Sequence, residues 1–179
     1  MTISNWKSNM KNALQYFSFT LVLFLLVACG GGGEKDKPAT PAAKTTATLK
    51  ITLTGTLPAS TTISGALFSL TLPANVTPAM NGAIVANSVV SNSGTFANST
   101  LVPQVVYTAA TSKLDVVLSN SDASGVTQVD EVATITLQLA NSATPNAASF
   151  PVSAASVIDA ALYNSIAGMG VSVASVTLQ

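Results

Sequence analysis

The stretch Glu131-Val-Ala-Thr-Ile-Thr-Leu-Gln-Leu139 decides the fold of this chain. From residue 133 onward, every second side chain is apolar, and the side chains between them are Thr or Gln. Because successive side chains of a β-strand point to opposite sides, this alternation gives one side that packs into a core and one that faces water. The stretch therefore predicts a half-buried β-strand.

The same alternation recurs along the chain. The strong runs cover residues 49–53, 68–72, 114–118 and 171–178, and weaker ones cover 84–90, 104–109 and 151–158. The alternation slips at Ala174-Ser175, which a β-bulge explains. Polar segments rich in turn-forming residues separate the runs. Eight or nine short strands with polar turns predict an all-β protein, an antiparallel β-sandwich over residues 48–179, with 159–168 as a helical turn or a long loop.

The composition narrows the possible functions. The 179 residues fit one domain plus a targeting segment, and seven Lys balance seven acidic residues. With a net charge of zero, the chain has no basic face for nucleic acid. It contains no His and no Arg, so it can form no Ser-His-Asp triad, no Cys-His dyad and no His-ligated zinc site. We therefore expect a protein that is not an enzyme.

A basic start and a short apolar run open the chain. Lys7 and Lys11 precede the apolar residues 16–28, a run too short for a bilayer, which takes about 20 residues. This arrangement is typical of a secretory signal peptide. The run ends in Leu26-Val-Ala-Cys-Gly30, which resembles the lipobox of bacterial lipoproteins. That resemblance implies cleavage before Cys29, a lipid on its sulfur and an acylated amino group; a plain signal peptide or a single-pass anchor is the alternative.

The residues after the apolar run predict an anchored arrangement. Cys29 is the single cysteine, so no intramolecular disulfide is possible. Gly30 rather than Asp follows it, which in the lipoprotein family implies the outer membrane of the cell envelope, on its periplasmic face or at the cell surface. Residues 30–47 are rich in Gly, Pro, Thr and Ala and would span about 25 Å as a flexible tether. We expect a signal peptide over 1–28, an acylated cysteine and tether over 29–47, and one domain over 48–179.

Motifs within the domain occur in an informative order. Ile63-Ser-Gly-Ala-Leu-Phe-Ser-Leu-Thr-Leu-Pro-Ala-Asn-Val76 joins an Ile-x-Gly to alternating apolar residues and a Pro turn. Glu131–Leu139 follows, and then Val157-Ile-Asp-Ala160 and Gly168-Met-Gly-Val-Ser-Val173. This order resembles that of cohesin domains across residues 49–179. Two features depart from the cohesin pattern: Thr71-Leu-Pro73 stands where Tyr-Asp-Pro is frequent, and no Pro-Gly-Asp turn follows the first strand.

The resemblance to cohesins implies both a fold and a function. Cohesins are jelly-roll β-sandwiches related to carbohydrate-binding modules, and in cellulosomes they bind dockerins, small calcium-loaded proteins. The resemblance thus implies a cohesin-like jelly roll of about nine strands that binds a protein partner, dockerin-like or another envelope protein, without catalysis. The alternatives are a polysaccharide-binding module of the same fold and a structural or assembly lipoprotein of a surface secretion or pilus system.

One loop has the ligand spacing of an EF-hand calcium site. Asn120, Asp122 and Ser124 take loop positions one, three and five, Gly125 takes position six and Glu131 takes position twelve. Side-chain oxygens at this spacing predict a calcium site. Strands rather than helices flank the loop, and the same residue types serve a simple hairpin connection, which is the alternative.

Aromatic rings and a loop carboxylate are further candidates. Sugars stack on exposed aromatic rings, and the single Trp, Trp6, lies in the predicted signal peptide. Tyr107 and Tyr163 are therefore the candidate carbohydrate-binding residues, with a place in the core or at its rim as the alternative. Asp159, before the last strand, is expected either to cap a turn or to line an ion site.

Overall fold

The computed structural model describes residues 43–179. The predicted signal peptide, Cys29 and most of the predicted tether lie outside the described residues. Strand pairing begins at Thr46, two residues before the predicted start of the domain. No helix within residues 43–179 is long and apolar enough to cross a membrane.

Eleven strands follow one another along the described chain. They are β1 (Thr46–Thr54), β2 (Ile63–Thr71), β3 (Val76–Pro78), β4 (Met80–Asn81), β5 (Ile84–Val85), β6 (Val90–Asn92), β7 (Gln104–Thr108), β8 (Lys113–Ser119), β9 (Glu131–Leu139), β10 (Val152–Asp159) and β11 (Gly170–Leu178). Short 3-10 turns lie at Gly94–Phe96, Ala109–Thr111 and Ala147–Ser149.

The strands form two antiparallel sheets and a small ribbon. The five-stranded sheet has the order β11-β1-β9-β3, and β6 also pairs with β9, beside the segment that β3 leaves free. The four-stranded sheet has the order β10-β2-β8-β7, and β4 pairs with β5 in a separate ribbon. Nine strands thus build the two sheets, and the predicted all-β, antiparallel β-sandwich is confirmed.

The core lies between the two sheets, where the alternating apolar residues meet. In β9, Ala133, Ile135 and Leu137 are fully buried, whereas Thr136 and Gln138 are exposed. The other long strands contribute alternate residues in the same way, because each has one side against the opposite sheet. The largest fully buried side chains are Phe96, Leu49, Ile51, Ile63, Leu70, Leu114, Leu118, Ile135, Leu137, Val89, Val116 and Val132.

The predicted bulge in the last strand is present. Lys50 of β1 lies opposite Ser175, and Ile51 lies opposite Val173, which leaves Ala174 without a partner. The extra residue shifts the side-chain alternation by one position, as the slip in the sequence pattern indicates.

Two short regions differ from the predictions. Residues 84–90 are not one strand, because a turn closed by Val89 N–H donating to the Ala86 carbonyl separates β5 from β6. The segment after Asp159 begins with a tight turn in which Tyr163 N–H donates to the Asp159 carbonyl at 3.1 Å, the bond of a single helical turn, and a bridge between Ile158 and Ser165 follows. Strands β3 and β4 have three and two residues, too few to show a period in the sequence.

We expect the variant Ile135→Ala to destabilise the domain strongly. Ile135 is fully buried on a strand that pairs with both neighbours, so its truncation leaves a cavity that rigid sheets cannot close. The expected loss in the free energy of unfolding is about 2 to 5 kcal/mol, measured by urea denaturation. The adjacent, exposed Thr136→Ala is the control and should change it by less than about 0.5 kcal/mol. Equal losses in both variants would contradict the assigned position of the core.

Candidate functional site

The outward side of the five-stranded sheet is polar. Thr48 lies opposite Thr136 and Thr177, and Lys50 lies opposite Thr134 and Ser175. Within residues 43–179, none of the exposed large apolar side chains belongs to this sheet. A surface of short hydroxyl side chains remains well hydrated, so nothing in its composition favours removal from water.

The outward side of the four-stranded sheet is different. Leu67, Val117 and Val106 lie on the adjacent strands β2, β8 and β7 and expose 37%, 45% and 62% of their surface. Leu67 is directly opposite Val117, and Val106 is diagonal to Val117 in the next register position. Leu67 and Val117 are near enough to contact each other, whereas Val106 lies about 7 to 8 Å from Val117 on the diagonal and directly opposite Asp115. We call these three residues the apolar face.

Polar groups surround the apolar face. Ser69 lies opposite Asp115, and its hydroxyl donates a hydrogen bond to the Asp115 carboxylate. Lys113 is exposed at the end of the same sheet, between Thr71 and Thr108. An apolar centre with a polar rim is the usual anatomy of a protein–protein interface.

The sequence contained one signal for the apolar face that alternation alone does not reveal. Each of the three residues belongs to an adjacent apolar pair, with Phe68, Val105 or Val116 as its inward-facing neighbour. Two neighbouring apolar residues in a strand must point to opposite sides, so one of them is exposed on a sheet that is covered on one side. Alternation alone identifies the inward residues of these pairs and leaves the outward ones unidentified.

The predicted calcium ligands are engaged in local contacts. The Asn120 side-chain oxygen accepts a hydrogen bond from Asp122 N–H at 3.2 Å, and the Asp122 carboxylate accepts one from Ser124 N–H at 2.9 Å. These bonds shape the turn after β8, but the connection is not a hairpin, because β8 and β9 belong to different sheets. Within residues 43–179, no three His, Cys, Asp or Glu residues are gathered as a metal site requires, and calcium binding stays a prediction.

Glu131 is bonded to residues outside that loop. Its Oε2 accepts from Lys50 Nζ at 2.8 Å, and its Oε1 accepts from the Ser93 hydroxyl at 2.7 Å. Gly94 follows with a φ of +50°. A Cβ there would collide with the Glu131 carbonyl, so the close turn that positions Ser93 requires glycine.

These bonds change the titration of both charged groups. The hydrogen bond from Lys50, followed by that from Ser93, lowers the pKa of the Glu131 carboxyl. The hydrogen bond to Glu131, together with its charge, raises the pKa of the Lys50 ammonium. The ion pair is exposed on the polar sheet, where such a pair contributes modestly to stability.

The two candidate tyrosines are far apart. Tyr107 is half-buried and packs against the core from β7, near the end of β2 at Thr71. Tyr163 exposes 79% of its surface in the turn after β10, near the opposite end of β2 at Ile63. The two rings therefore do not form a common sugar platform.

The turn that carries Tyr163 is held by Asp159. This carboxylate is almost fully buried and accepts hydrogen bonds from Ala161 N–H at 2.7 Å and Leu162 N–H at 2.8 Å, so Asp159 caps the turn. Tyr163 has a φ of +54°, a left-handed conformation that is unfavourable for an aromatic residue. The cap thus presents Leu162 and Tyr163 together in water.

Comparison of the chain with protein-family models, with curated proteins and with solved structures finds no significant match. A function for this chain is therefore inferred from its fold and from the surfaces described above.

We expect the contribution of Glu131 to stability to depend on pH. Its pKa is lower in the folded than in the unfolded chain, so the stabilisation is present above the ordinary value of 4.5 and is lost as the pH falls through the folded pKa. The variant Glu131→Gln should therefore melt below the parent chain at neutral pH, and the difference should narrow in acid. Thermal unfolding at about pH 7 and about pH 3 measures this.

The reciprocal variant is the control for this experiment. Lys50→Gln should lower the melting temperature at neutral pH, and the double variant should lose less than the sum of the two single losses. A melting difference for Glu131→Gln that stays constant between neutral and acidic pH would contradict the assignment.

Proposed function

We propose that this chain is a lipid-anchored envelope protein whose β-sandwich is a non-catalytic module that binds a protein partner through the apolar face. The observation that carries the proposal is the contrast between the two outward surfaces of one sandwich. One is covered by Thr and Ser, and the other exposes Leu67, Val106 and Val117 in adjacent positions. Fully burying such a side chain is worth about 1.5 to 3 kcal/mol, and a partner would supply the share of that gain that belongs to the surface still exposed, 37% to 62%.

The order of strand pairing supports the cohesin-like jelly roll in this proposal. The first long strand pairs with the last, β2 pairs with β10, β3 and β6 pair with β9, and β7 pairs with β8. This nested order is that of an antiparallel ribbon rolled into two facing sheets, which is how a jelly roll forms. A fold alone hosts many functions, so the protein-binding role is argued from the surface.

The apolar face is suited to specific binding rather than to general adhesion. It is small, Asp115 lies directly opposite Val106, and Lys113 follows at the end of the same strand with the opposite charge. Charges at the rim of an interface select partners by electrostatic complementarity, while the desolvated centre supplies affinity. We therefore propose a partner that presents a small apolar cluster flanked by charges of both signs.

We expect Val117→Lys to abolish partner binding without unfolding the domain. Val117 is exposed, so the lysine is hydrated in the free protein but would be desolvated beneath a partner. The measurement uses the full-length chain as bait for solubilised cell envelopes, followed by affinity measurement with the captured protein. The expected loss in affinity is at least about tenfold.

The matched control places the same residue on the other sheet. Thr136→Lys introduces one lysine at an exposed strand position of the polar surface and should leave the affinity unchanged. Equal capture by both variants and the parent chain would overturn the proposed binding face.

The lipid anchor in this proposal rests on the lipobox resemblance at Cys29. We expect the chain extracted from cell envelopes to lack residues 1–28 and to carry a lipid, because only a thiol accepts the acylglycerol. Each buried methylene adds about 0.8 kcal/mol, so several acyl chains hold the protein firmly. Intact-mass measurement checks this, with Cys29→Ser retaining residues 1–28 and gaining no lipid. A parent chain with a free Cys29 thiol would refute the anchor.

The exposure of Tyr163 favours a second candidate function, polysaccharide binding at the turn after β10. A capped, rigid turn that presents Tyr163 beside Leu162 offers one aromatic face to a sugar ring. Retention of the full-length chain on an envelope glycan, lost in Tyr163→Ala and kept in Val117→Lys, would favour this function over protein binding.

A further inference from the structure

The groove beside strand β7 indicates how a partner protein is held. A cavity of about 410 Å³ lies between residues 102–105 on one wall and residues 84–87 on the other. The second wall begins in β5, which contacts β7 without joining its sheet. At the mouth of this groove, Ile84 and Val102 are exposed large apolar side chains.

Strand β7 is a free edge of the four-stranded sheet. It pairs with β8 on one side only, and its register with β8 is unbroken from Gln104 to Thr108. A free edge presents unpaired backbone N–H and C=O groups that can pair with another strand.

The hydrogen bonds of β8 show which groups of β7 are free. Leu72 N–H donates to the Ser112 carbonyl at 2.8 Å, and Asn120 N–H donates to the Ser64 carbonyl at 2.7 Å. The even-numbered residues of β8 therefore bond to β2, and the odd-numbered ones bond to β7, because antiparallel pairing alternates.

The register between β7 and β8 completes the assignment. Three residues of β7 lie opposite the odd-numbered residues of β8: Gln104, Val106 and Thr108. Their backbone N–H and C=O groups therefore form hydrogen bonds with β8. Val105 and Tyr107 consequently direct N–H and C=O toward the open edge. The side chains of these two residues meanwhile point inward against the core.

The other edges within the described sheets are guarded against strand addition. Strand β3 has three residues and includes Pro78, and β6 has three residues. Strands β10 and β11 both contain register shifts and contact each other across the sandwich. Strand β7 has no proline, no charge and no bulge, so it lacks the features that usually block edge pairing.

We propose that the groove beside β7 binds an extended segment of the partner protein, which adds to the sheet as a fifth strand and pairs with Val105 and Tyr107. This inference rests on the proposed protein-binding function, because Val106 belongs both to β7 and to the apolar face. The edge thereby extends that face by one strand. Backbone pairing gives affinity in this mode, and the side-chain contacts select the sequence.

The walls of the groove define the chemistry of the segment. All eight lining residues are uncharged, and most are apolar. An uncharged segment with alternate small apolar residues complements such walls, since a charged side chain would lose its hydration without gaining a partner.

The second wall also argues against pairing with another copy of this chain. A folded neighbour would bring its own residues 84–87 alongside its own β7, so two such walls would meet in the space of one strand. A lone extended segment of about five residues, roughly 17 Å long, matches the length of β7 and brings no second wall.

The test uses the full-length chain in mild detergent and a synthetic probe. The probe is an eight-residue peptide of alternating Thr and Val with blocked ends. Two further peptides carry backbone N-methyl groups, one on every Thr and one on every Val. A strand bonded at one edge uses the N–H groups of alternate residues only, so one N-methylated peptide should lose binding at least about tenfold while the other retains it.

Amide hydrogen exchange locates the bound peptide. Without peptide, the amide of Val106 is protected by β8, and those of Val105 and Tyr107 exchange fast. With peptide at ten times its dissociation constant, exchange at Val105 and Tyr107 should slow by about tenfold. Equal binding of all three peptides, or protection at other strands, would overturn the proposal. Protection of Val105 and Tyr107 that rises with protein concentration in the absence of peptide would instead indicate pairing with a second copy of the chain, and would also overturn the proposal.

A variant pair separates this inference from the proposed function. Val105→Pro removes an outward N–H without removing a bond to β8, so it should weaken both the peptide and the envelope partner. If Val117→Lys abolishes partner capture and Val105→Pro does not, the apolar face binds the partner without strand addition. In that case the strand-addition inference is wrong, and the proposed function stands. If Val105→Pro misfolds, the comparison of the three peptides on the parent chain still shows whether a strand is added along β7.

Discussion

Strand β9 pairs with three other strands, and the sandwich depends on the alternation of its side chains. Its inward residues meet the opposite sheet, and its two sides hold β1 on one flank and β3 with β6 on the other. Because a strand has only two sides, a shift of one residue would turn every buried side chain of β9 into water. The register of this strand therefore fixes that of its neighbours.

The position of β9 also explains why the two outward surfaces differ. The polar outward residues of the five-stranded sheet continue across its neighbours as a surface of Thr, Ser and one ion pair. Because its side chains are short and hydrated and its last strand is bulged, this surface is stable in water without a partner. The four-stranded sheet has no such uniform surface, and its exposed apolar residues lie on the three adjacent strands β2, β8 and β7. The binding that we propose thus uses the outward side of one sheet only, because each sheet has one side that the core does not use.

The candidate interface and the free edge meet at β7. The outward side chain of Val106 belongs to the face, whereas the backbone groups of its two neighbours belong to the edge. A partner that contacts both would combine apolar burial with directional hydrogen bonds, which supply affinity and register respectively. The aromatic turn at Tyr163 lies at one end of the sandwich, away from Tyr107, and is a separate surface.

Local order within the chain was readable from the amino-acid sequence. Alternation located the long strands, and the slip at Ala174 located the bulge, because a two-residue period is imposed by the backbone itself. The preference of Asp159 for a turn was equally local, since a short carboxylate reaches its own backbone amides. The signal peptide and the lipobox resemblance at Cys29 also come from local patterns, and they stay predictions because they lie outside the described residues.

The tertiary structure alone decided how these elements are combined. Strand order sets which residues become neighbours, so the apolar face arises from three strands that are distant in sequence. The engagement of Glu131 by Lys50 and Ser93 likewise joins residues brought together by pairing, although the loop spacing suggested calcium. Short strands such as β3 and β6 form because β9 offers them an edge. The sequence by itself determined which residues alternate; the packing of two sheets determined which alternating side is buried and which faces outward, because burial is a property of the assembled layers.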